Sequence, residues 1–136
     1  RLLHVLFCIE CIEEEKKREN RLIYLAQTDL MTGLYNRGSG ERQISHLLQE
    51  KTGGLLCLID CDKFKTINDT YGHSTGDKVI IAVAETMQKS CRDKDVVLRL
   101  GGDEFAVFMP EMREKAAAER FFERLFYNIS QIRLRK

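Results

Sequence analysis

Residues 96–109 read Val-Val-Leu-Arg-Leu-Gly-Gly-Asp-Glu-Phe-Ala-Val-Phe-Met, and this stretch decides the fold of the chain. Its two apolar runs, Val96–Leu100 and Phe105–Met109, are rich in the β-branched and aromatic residues that favour strands. Between them lies Gly101–Glu104, a polar segment that begins with two glycines. The pattern predicts two strands joined into a hairpin by a four-residue loop. Pro110 closes the second strand, because proline has no N–H to donate to a ladder.

A third strand is predicted over Leu55–Ile59, an unbroken apolar run that follows the Thr-Gly-Gly at residues 52–54. Such runs are typical of strands that are buried on both faces. The run stops abruptly at Asp60-Cys61-Asp62. The sequence therefore predicts a buried strand with two carboxylates at its end.

Helical spacing of apolar residues predicts three helices around these strands. The first spans residues 38–50 with Ser39 as its candidate N-cap, the second spans residues 77–91, and the third spans residues 113–131. The residues expected to face inward are Ile44, Leu47 and Leu48 in the first helix, Ile80, Val83, Ala84, Met87 and Cys91 in the second, and Ala117, Phe121, Leu125 and Phe126 in the third.

Residues 1–26 form a separate N-terminal segment. Its apolar residues alternate weakly over His4–Ile12, so this part is open to two interpretations, a strand or the apolar stripe of a helix. A charged run at residues 13–19 places acids four residues before bases, which supports a solvated helix. We interpret residues 1–26 as a linker helix. The alternative is a short coiled coil that joins two copies, with its heptad interrupted by Lys16 and Glu19.

The composition excludes several classes of protein. The chain has 136 residues, of which 43% are apolar, and this is enough to bury a core and excludes a disordered chain. Its 22 basic and 21 acidic residues leave a net charge of +1, which does not suggest a nucleic-acid partner. The longest apolar stretch, Leu2–Ile12, is too short to span a membrane. The five cysteines are an odd number and are expected to be the reduced thiols of a cytosolic protein.

Two acidic clusters fall at predicted chain reversals. Asp60 and Asp62 follow a strand, whereas Asp103 and Glu104 occupy the hairpin loop. A strand end and a neighbouring hairpin loop can bring carboxylates within a few ångströms, and such oxygen ligands suit Mg²⁺ bound together with substrate phosphates. The alternative is that these Asp and Gly residues are turn formers with no further role. Both interpretations are open on the residues alone.

Three longer segments occur in order and carry a resemblance: Asp29-x-x-Thr32-Gly33-Leu34-x-Asn36-Arg37, Asp60-x-Asp62-x-Phe64-Lys65-x-Ile67-Asn68-Asp69-x-Tyr71-Gly72-His73-x-x-Gly76-Asp77 and Arg99-x-Gly101-Gly102-Asp103-Glu104-Phe105. Together they closely resemble the GGDEF family, the diguanylate cyclases, over about residues 27–136. The resemblance implies an α+β domain with the palm-like fold of nucleotide cyclases and a central, mainly antiparallel sheet flanked by helices.

The resemblance also implies an activity. Family members condense two GTP molecules into cyclic di-GMP and release two pyrophosphates, in a homodimer whose two chains each hold one GTP. It implies Mg²⁺ as the cofactor, with Mn²⁺ as the alternative ion. The expected partners are GTP, cyclic di-GMP, a second copy joined through the linker helix and the facing active sites, and an upstream sensor domain.

Residue roles follow from the same resemblance. Asp60, Asp103 and Glu104 are expected to bind metal, and Cys61 to lend its backbone carbonyl. Asp103 is also the candidate base for the attacking 3′-hydroxyl, although a carboxylate on a metal is a weak base. Lys65 is expected to stabilise charge on the phosphates.

Guanine and product recognition complete the set. Asn68 and Asp77 are expected to bind the guanine edge, with His73 nearby, and Gly101 and Gly102 leave room for the substrate to approach the backbone. Arg92 and Asp95 precede Gly101 at the spacing of the family's inhibitory product site. The guanidinium of Arg92 suits both phosphate and the guanine Hoogsteen edge.

At the ends of the chain the resemblance leads to further expectations. Family domains continue beyond the position of Lys136 with another strand pair and helix, so the domain at 27–136 is expected to be cut at its C-terminus. A strand over His4–Ile12 followed by a charged helix resembles the exit of a PAS-type sensor domain. The domain is expected to be cytoplasmic, as part of a parent that is soluble or attached to a membrane.

Two classes of function are therefore compatible with the sequence. One is a cyclase domain that makes cyclic di-GMP from GTP. The other is a non-catalytic module of the same fold that binds GTP or cyclic di-GMP for signalling.

Overall fold

A computed structural model describes residues 2–134, with side chains described from Cys8 onward. It contains five helices and three strands in this part of the chain. In chain order they are α1 (Leu2–Gln27), α2 (Arg37–Gln49), β1 (Gly54–Asp60), α3 (Phe64–Tyr71), α4 (His73–Ser90), β2 (Val96–Gly101), β3 (Glu104–Pro110) and α5 (Lys115–Ser130).

The three strands form one antiparallel sheet in the order β1-β3-β2. One face, which includes Phe105 and Met109, packs against α4 and α5. The opposite face packs Leu98 and Phe108 against apolar side chains of α2. The predicted α+β fold, an antiparallel sheet flanked by helices, is confirmed.

The hairpin loop is shorter than predicted. Gly101 pairs with Glu104, so only Gly102 and Asp103 lie between the strands. The register shifts between Arg99 and Gly101, which is a β-bulge next to the turn. Such a bulge bends the strand and re-aims the residues at its end.

The prediction that β1 is buried on both faces is wrong for the residues described. β1 alternates between exposed and partly buried residues and lies at the edge of the three-stranded sheet. Leu58 is 74% exposed, whereas Ile59 packs against the core. The apolar run therefore faces the core only at every second residue.

The helix predictions hold for position and need correction at single residues. Asn36, not Ser39, caps α2: its side chain accepts a hydrogen bond from the Ser39 backbone N–H at 3.0 Å. In the same helix Leu48 is exposed, not inward. In α5 the buried alanine is Ala118, not the predicted Ala117. The short helix α3 has no counterpart among the sequence predictions.

The N-terminal segment is one continuous helix from Leu2 to Gln27. Its helical interpretation is confirmed, and the strand interpretation of His4–Ile12 is wrong. At a rise of 1.5 Å per residue α1 is about 39 Å long. It contacts α2. No helix in the described part of the chain combines the length and hydropathy needed to cross a membrane.

Candidate active site at the hairpin tip

The two predicted acidic clusters lie next to each other in the structure. The antiparallel register of β1 and β3 places Asp60 directly opposite Glu104. One residue further, the Cys61 backbone N–H donates to the Asp103 carbonyl at 3.2 Å. The sheet thus brings together all four residues that the sequence assigned to metal binding.

The carboxylates at this site act on one another electrostatically. The neighbouring Asp103 side chain raises the pKa of Asp60 above its ordinary value. The negative charges of Asp103, Glu104 and Asp62 act in the same direction. A cation at this position would relieve the repulsion that the raised pKa reflects.

The donor set fits Mg²⁺ together with a phosphate substrate, not a cage of protein ligands alone. Among residues 2–134 no group of three His, Cys, Asp or Glu side chains converges closely enough to hold a metal. Mg²⁺ prefers one or two carboxylates and completes its shell with water and phosphate oxygens. Asp60 and Asp103 are such a pair.

Cys61 can contribute its backbone only. Its carbonyl accepts the Phe64 N–H at 3.3 Å, which leaves the second lone pair of the oxygen available. Burial, helped by the neighbouring carboxylates, raises the pKa of the Cys61 thiol to about 11. Because Mg²⁺ prefers hard oxygen donors, the soft thiol is a poor ligand for this ion.

The glycines at the tip leave the backbone open. Gly102 has a φ of +51°, which suits glycine, and a Cβ at either Gly101 or Gly102 would meet no atom within 4 Å. A phosphate or sugar can therefore approach the main chain beside Asp103. A cavity of about 150 Å³ is lined in part by Asp60 and Glu104.

A second group of predicted residues meets where α3 packs on α4. The Asn68 side chain lies against Gly76: a Cβ there would be 2.9 Å from the Asn68 Cγ and 3.3 Å from the Phe64 Cζ. Within the described residues the buried Asn68 Oδ1 has no hydrogen-bond partner. Because an unpaired buried acceptor is costly, this oxygen calls for a donor from a ligand or water.

The other predicted substrate residues surround this pair on the surface. Asp77 follows Gly76 directly and is exposed, and His73 begins α4 and is exposed as well. Lys65 lies in the first turn of α3, is exposed, and takes part in none of the ion pairs seen among residues 2–134. All three are thus available to a ligand that reaches across α3.

The predicted product-site residues are in direct contact with each other. Arg92 Nη2 donates to Asp95 Oδ1 at 3.1 Å, and the Arg92 backbone N–H donates to Asp95 Oδ2 at 2.8 Å. Both line a cavity of about 210 Å³ whose other walls include Arg120 and Arg124 of α5. Sequence reasoning missed these two arginines, although their i,i+4 spacing on one helix was a signal that could have found them.

The chain is similar to known proteins over most of its length. The model of the family described as "Diguanylate cyclase, GGDEF domain" matches residues 26–133. Diguanylate cyclase DgcM of Escherichia coli K12 is 42% identical over 111 residues, which cover 78% of this chain and 27% of DgcM. YtrP of Bacillus subtilis 168 is 39% identical over 110 residues, which cover 81% of this chain and 19% of YtrP. The chain thus spans about a fifth to a quarter of these relatives.

Solved structures show the same fold. The coiled coil and GGDEF domain of DgcB from Caulobacter crescentus, in complex with c-di-GMP, superimposes with a TM-score of 0.78 and 28% identity. The match covers 100% of this chain and 74% of that one. By sequence and by fold, this chain belongs to the GGDEF domain family of diguanylate cyclases.

Proposed function

We propose that this domain condenses two GTP molecules into cyclic di-GMP with release of two pyrophosphates. The observation that carries the proposal is the meeting of Asp60, Asp103 and Glu104 beside an open glycine backbone at the hairpin tip. Nucleotidyl transfer needs little covalent help from the protein. It needs charge neutralisation and positioning at the α-phosphate, which an acidic cluster and an ion provide.

In each of the two transfers the 3′-oxygen of one GTP forms a bond to the α-phosphorus of the other. The bond between that phosphorus and the bridging oxygen breaks, and pyrophosphate leaves. Bound Mg²⁺ would supply Lewis-acid stabilisation of the phosphate charge, held by Asp60, Asp103 and the Cys61 carbonyl, with Glu104 toward a second ion. Asp103 is the candidate acceptor of the 3′-hydroxyl proton, and Lys65 stabilises charge on the phosphates.

Guanine binding is assigned to the junction of α3 and α4. The buried Oδ1 of Asn68 has no hydrogen-bond donor among the described residues. The Asp77 carboxylate can only accept hydrogen bonds. Guanine offers donors at N1 and N2, whereas adenine lacks this pair. His73 stands at the rim of the same junction. A site built to accept two adjacent donors discriminates against a base that lacks this pair, because an acceptor of the site would then be left unpaired.

The reaction requires two copies of the domain, since each holds one GTP. We assign the contact between copies to α1, where Ile9, Ile12 and Ile23 are exposed. We also place an input domain before α1. Because GTP is the substrate, we place the domain in the cytoplasm.

The central test is replacement of Asp103 by alanine in the full-length protein. We expect the wild type to convert GTP to cyclic di-GMP in the presence of Mg²⁺, and Asp103→Ala to form no detectable product. Product is followed by chromatography at matched protein concentrations. A wild-type dimer that forms no cyclic di-GMP would contradict the proposal.

We place product inhibition at the cavity of Arg92 and Asp95. Three guanidinium groups and one carboxylate line it, so it favours a ligand with two phosphates, and Arg124 is oriented there by a hydrogen bond to the Ser90 carbonyl at 3.0 Å. Arg92→Ala is expected to relieve product inhibition and to leave the initial rate nearly unchanged. Initial rates measured with added cyclic di-GMP decide the matter, and inhibition that persists unchanged would refute this assignment.

The second candidate function is a module that binds cyclic di-GMP without turnover. The arginine-lined cavity favours it, because its residues differ from those of the carboxylate site. The two functions separate cleanly in one experiment. A wild type that binds cyclic di-GMP in calorimetry but makes none from GTP is a binding module, whereas turnover that Asp103→Ala abolishes identifies a cyclase.

A further inference from the structure

Arg99 connects two loops at the edge of the carboxylate site. Its Nε and Nη2 donate to the Gly102 carbonyl at 3.1 and 2.8 Å, and its Nη1 donates to the Asp29 carboxylate at 3.2 Å. The side chain is only 13% exposed. The planar guanidinium thus uses separate donors for two acceptors from distant parts of the chain, which a lysine ammonium cannot do with the same geometry.

The Gly102 carbonyl belongs to the peptide that leads into Asp103. The ladder between β2 and β3 is irregular at this point, because the register shifts between Arg99 and Gly101. Arg99 supplies side-chain hydrogen bonds where the regular ladder is interrupted. On the other side, Cys61 N–H holds the Asp103 carbonyl at 3.2 Å. The backbone of Asp103 is therefore held from both directions.

The other acceptor, Asp29, lies in the turn that follows α1. Its carboxylate also accepts the Thr32 N–H at 3.0 Å and the Thr32 hydroxyl at 2.7 Å. Partial burial opposes ionisation, but these hydrogen bonds and the Arg99 charge hold the pKa of Asp29 below its ordinary value. The carboxylate is therefore charged at neutral pH and can form an ion pair with Arg99.

The turn itself is fastened to the end of α1. The Asn36 side chain donates to the Ala26 carbonyl at 2.9 Å, and the Asn36 backbone N–H donates to the Gln27 carbonyl at 3.0 Å. The Arg99 backbone N–H adds a hydrogen bond to the Tyr35 carbonyl at 3.0 Å. Hydrogen bonds and the peptide bond between Tyr35 and Asn36 thus connect the last turn of α1 to the peptide before Asp103.

We propose that Arg99 is a positioning residue: it holds the Gly102–Asp103 peptide in its reactive orientation and ties it to the turn after α1. The catalytic part of this inference rests on the proposed cyclase function. The structural part, that Arg99 restrains the hairpin tip, is independent of the cyclase function.

The test uses Arg99→Lys and Asp29→Asn in the full-length protein, with Arg42→Lys on the exposed face of α2 as the matched control. Arg99→Lys keeps the positive charge but loses the planar guanidinium that donates to both the Gly102 carbonyl and the Asp29 carboxylate. We expect kcat to fall about tenfold or more, while the KM for GTP stays within about threefold, because Asn68 and Asp77 are untouched. Asp29→Asn should give a smaller loss in kcat, since the bonds from Arg99 to Gly102 remain.

Amide hydrogen exchange supplies the second readout, by mass spectrometry over residues 99–106. Exchange at the tip should accelerate about tenfold in Arg99→Lys, less in Asp29→Asn, and not in Arg42→Lys. Unchanged exchange at the tip in Arg99→Lys, or a rise in KM at constant kcat, would overturn the proposal. If Arg99→Lys does not fold, the exchange and kcat of Asp29→Asn decide it. A wild type without cyclase activity would refute the proposed function, and exchange would still decide whether Arg99 restrains the tip.

Discussion

At the scale of single residues, Gly76 decides whether Asn68 has room at the junction of α3 and α4, where we propose that guanine binds. The Asn68 side chain occupies the space that a Cβ at Gly76 would need. The glycine is thus required by a close approach between α3 and α4, and not by its backbone conformation, which is helical.

Gly76→Ala is therefore expected to displace Asn68 and to weaken GTP binding by about tenfold or more, since a buried polar partner is lost. Overpacking at this contact should cost about 1–3 kcal/mol of unfolding free energy. Calorimetric titration with GTP and urea unfolding measure the two effects.

Gly38→Ala is the matched control, because its Cβ would make only ordinary contacts, with the flexible end of Arg42 at 3.4 Å and with the Asn36 Oδ1 at 3.9 Å. It lies in α2, where alanine stabilises a helix relative to glycine by up to about 1 kcal/mol. If both variants bound GTP equally well, the role assigned to the contact between Gly76 and Asn68 would be wrong.

At the scale of elements, α5 shows where periodicity succeeds and where it fails. Phe121 and Leu125 are buried as predicted, whereas Phe126 is 57% exposed. Leu125 and Phe126 are adjacent, so they point about 100° apart on a helix. Apolar character alone could not decide which of them faces the sheet.

The two neighbours should consequently differ sharply in stability measurements. Leu125→Ala, at a site with no exposed surface, is expected to cost about 2–5 kcal/mol. Phe126→Ala should cost less than about 1 kcal/mol, because much of its ring is already in water. Urea unfolding of both variants checks this, and equal losses would show that α5 packs differently.

At the scale of the whole molecule, α1 is the element that the rest of the chain covers least. Ile9, Ile12 and Ile23 are all about half exposed, and they follow one another at heptad-compatible spacings. A long isolated helix with such a stripe is unstable in water unless another surface packs on it. A second α1 meets this need and would bring two hairpin tips into one assembly.

We therefore expect Ile12→Glu to shift the protein from dimer to monomer and to lower cyclase activity per protomer at least about tenfold. Sedimentation equilibrium and rates measured over a range of protein concentrations test this. Glu14→Ala, on the opposite side of the heptad, is the control and should remain dimeric. An Ile12→Glu protein that stays dimeric and active would place the contact elsewhere.

The sequence sufficed to predict the local features of this chain. The hairpin, four of the five described helices and the acidic strand ends were predicted from apolar spacing, glycines and carboxylates, because these reflect the chain's own backbone preferences. The family resemblance rested on motifs of the same local kind. The two-residue loop and the one-sided burial of β1 were mispredicted, since each depends on which segment lies opposite. The cap at Asn36 is a local contact, and it was mispredicted because Ser39 is an equally suitable capping residue type.

What the sequence alone determined is therefore every described element except α3, together with the chemistry at the strand ends. Only the tertiary structure decided which ends meet: the register that places Asp60 opposite Glu104, the packing of Asn68 on Gly76, and the span from Asp29 through Arg99 to Gly102. The physical reason is that these contacts join different elements, and two of the three join residues far apart in the chain. Their geometry depends on strand pairing and helix packing, and a pattern of neighbouring residues does not encode it directly.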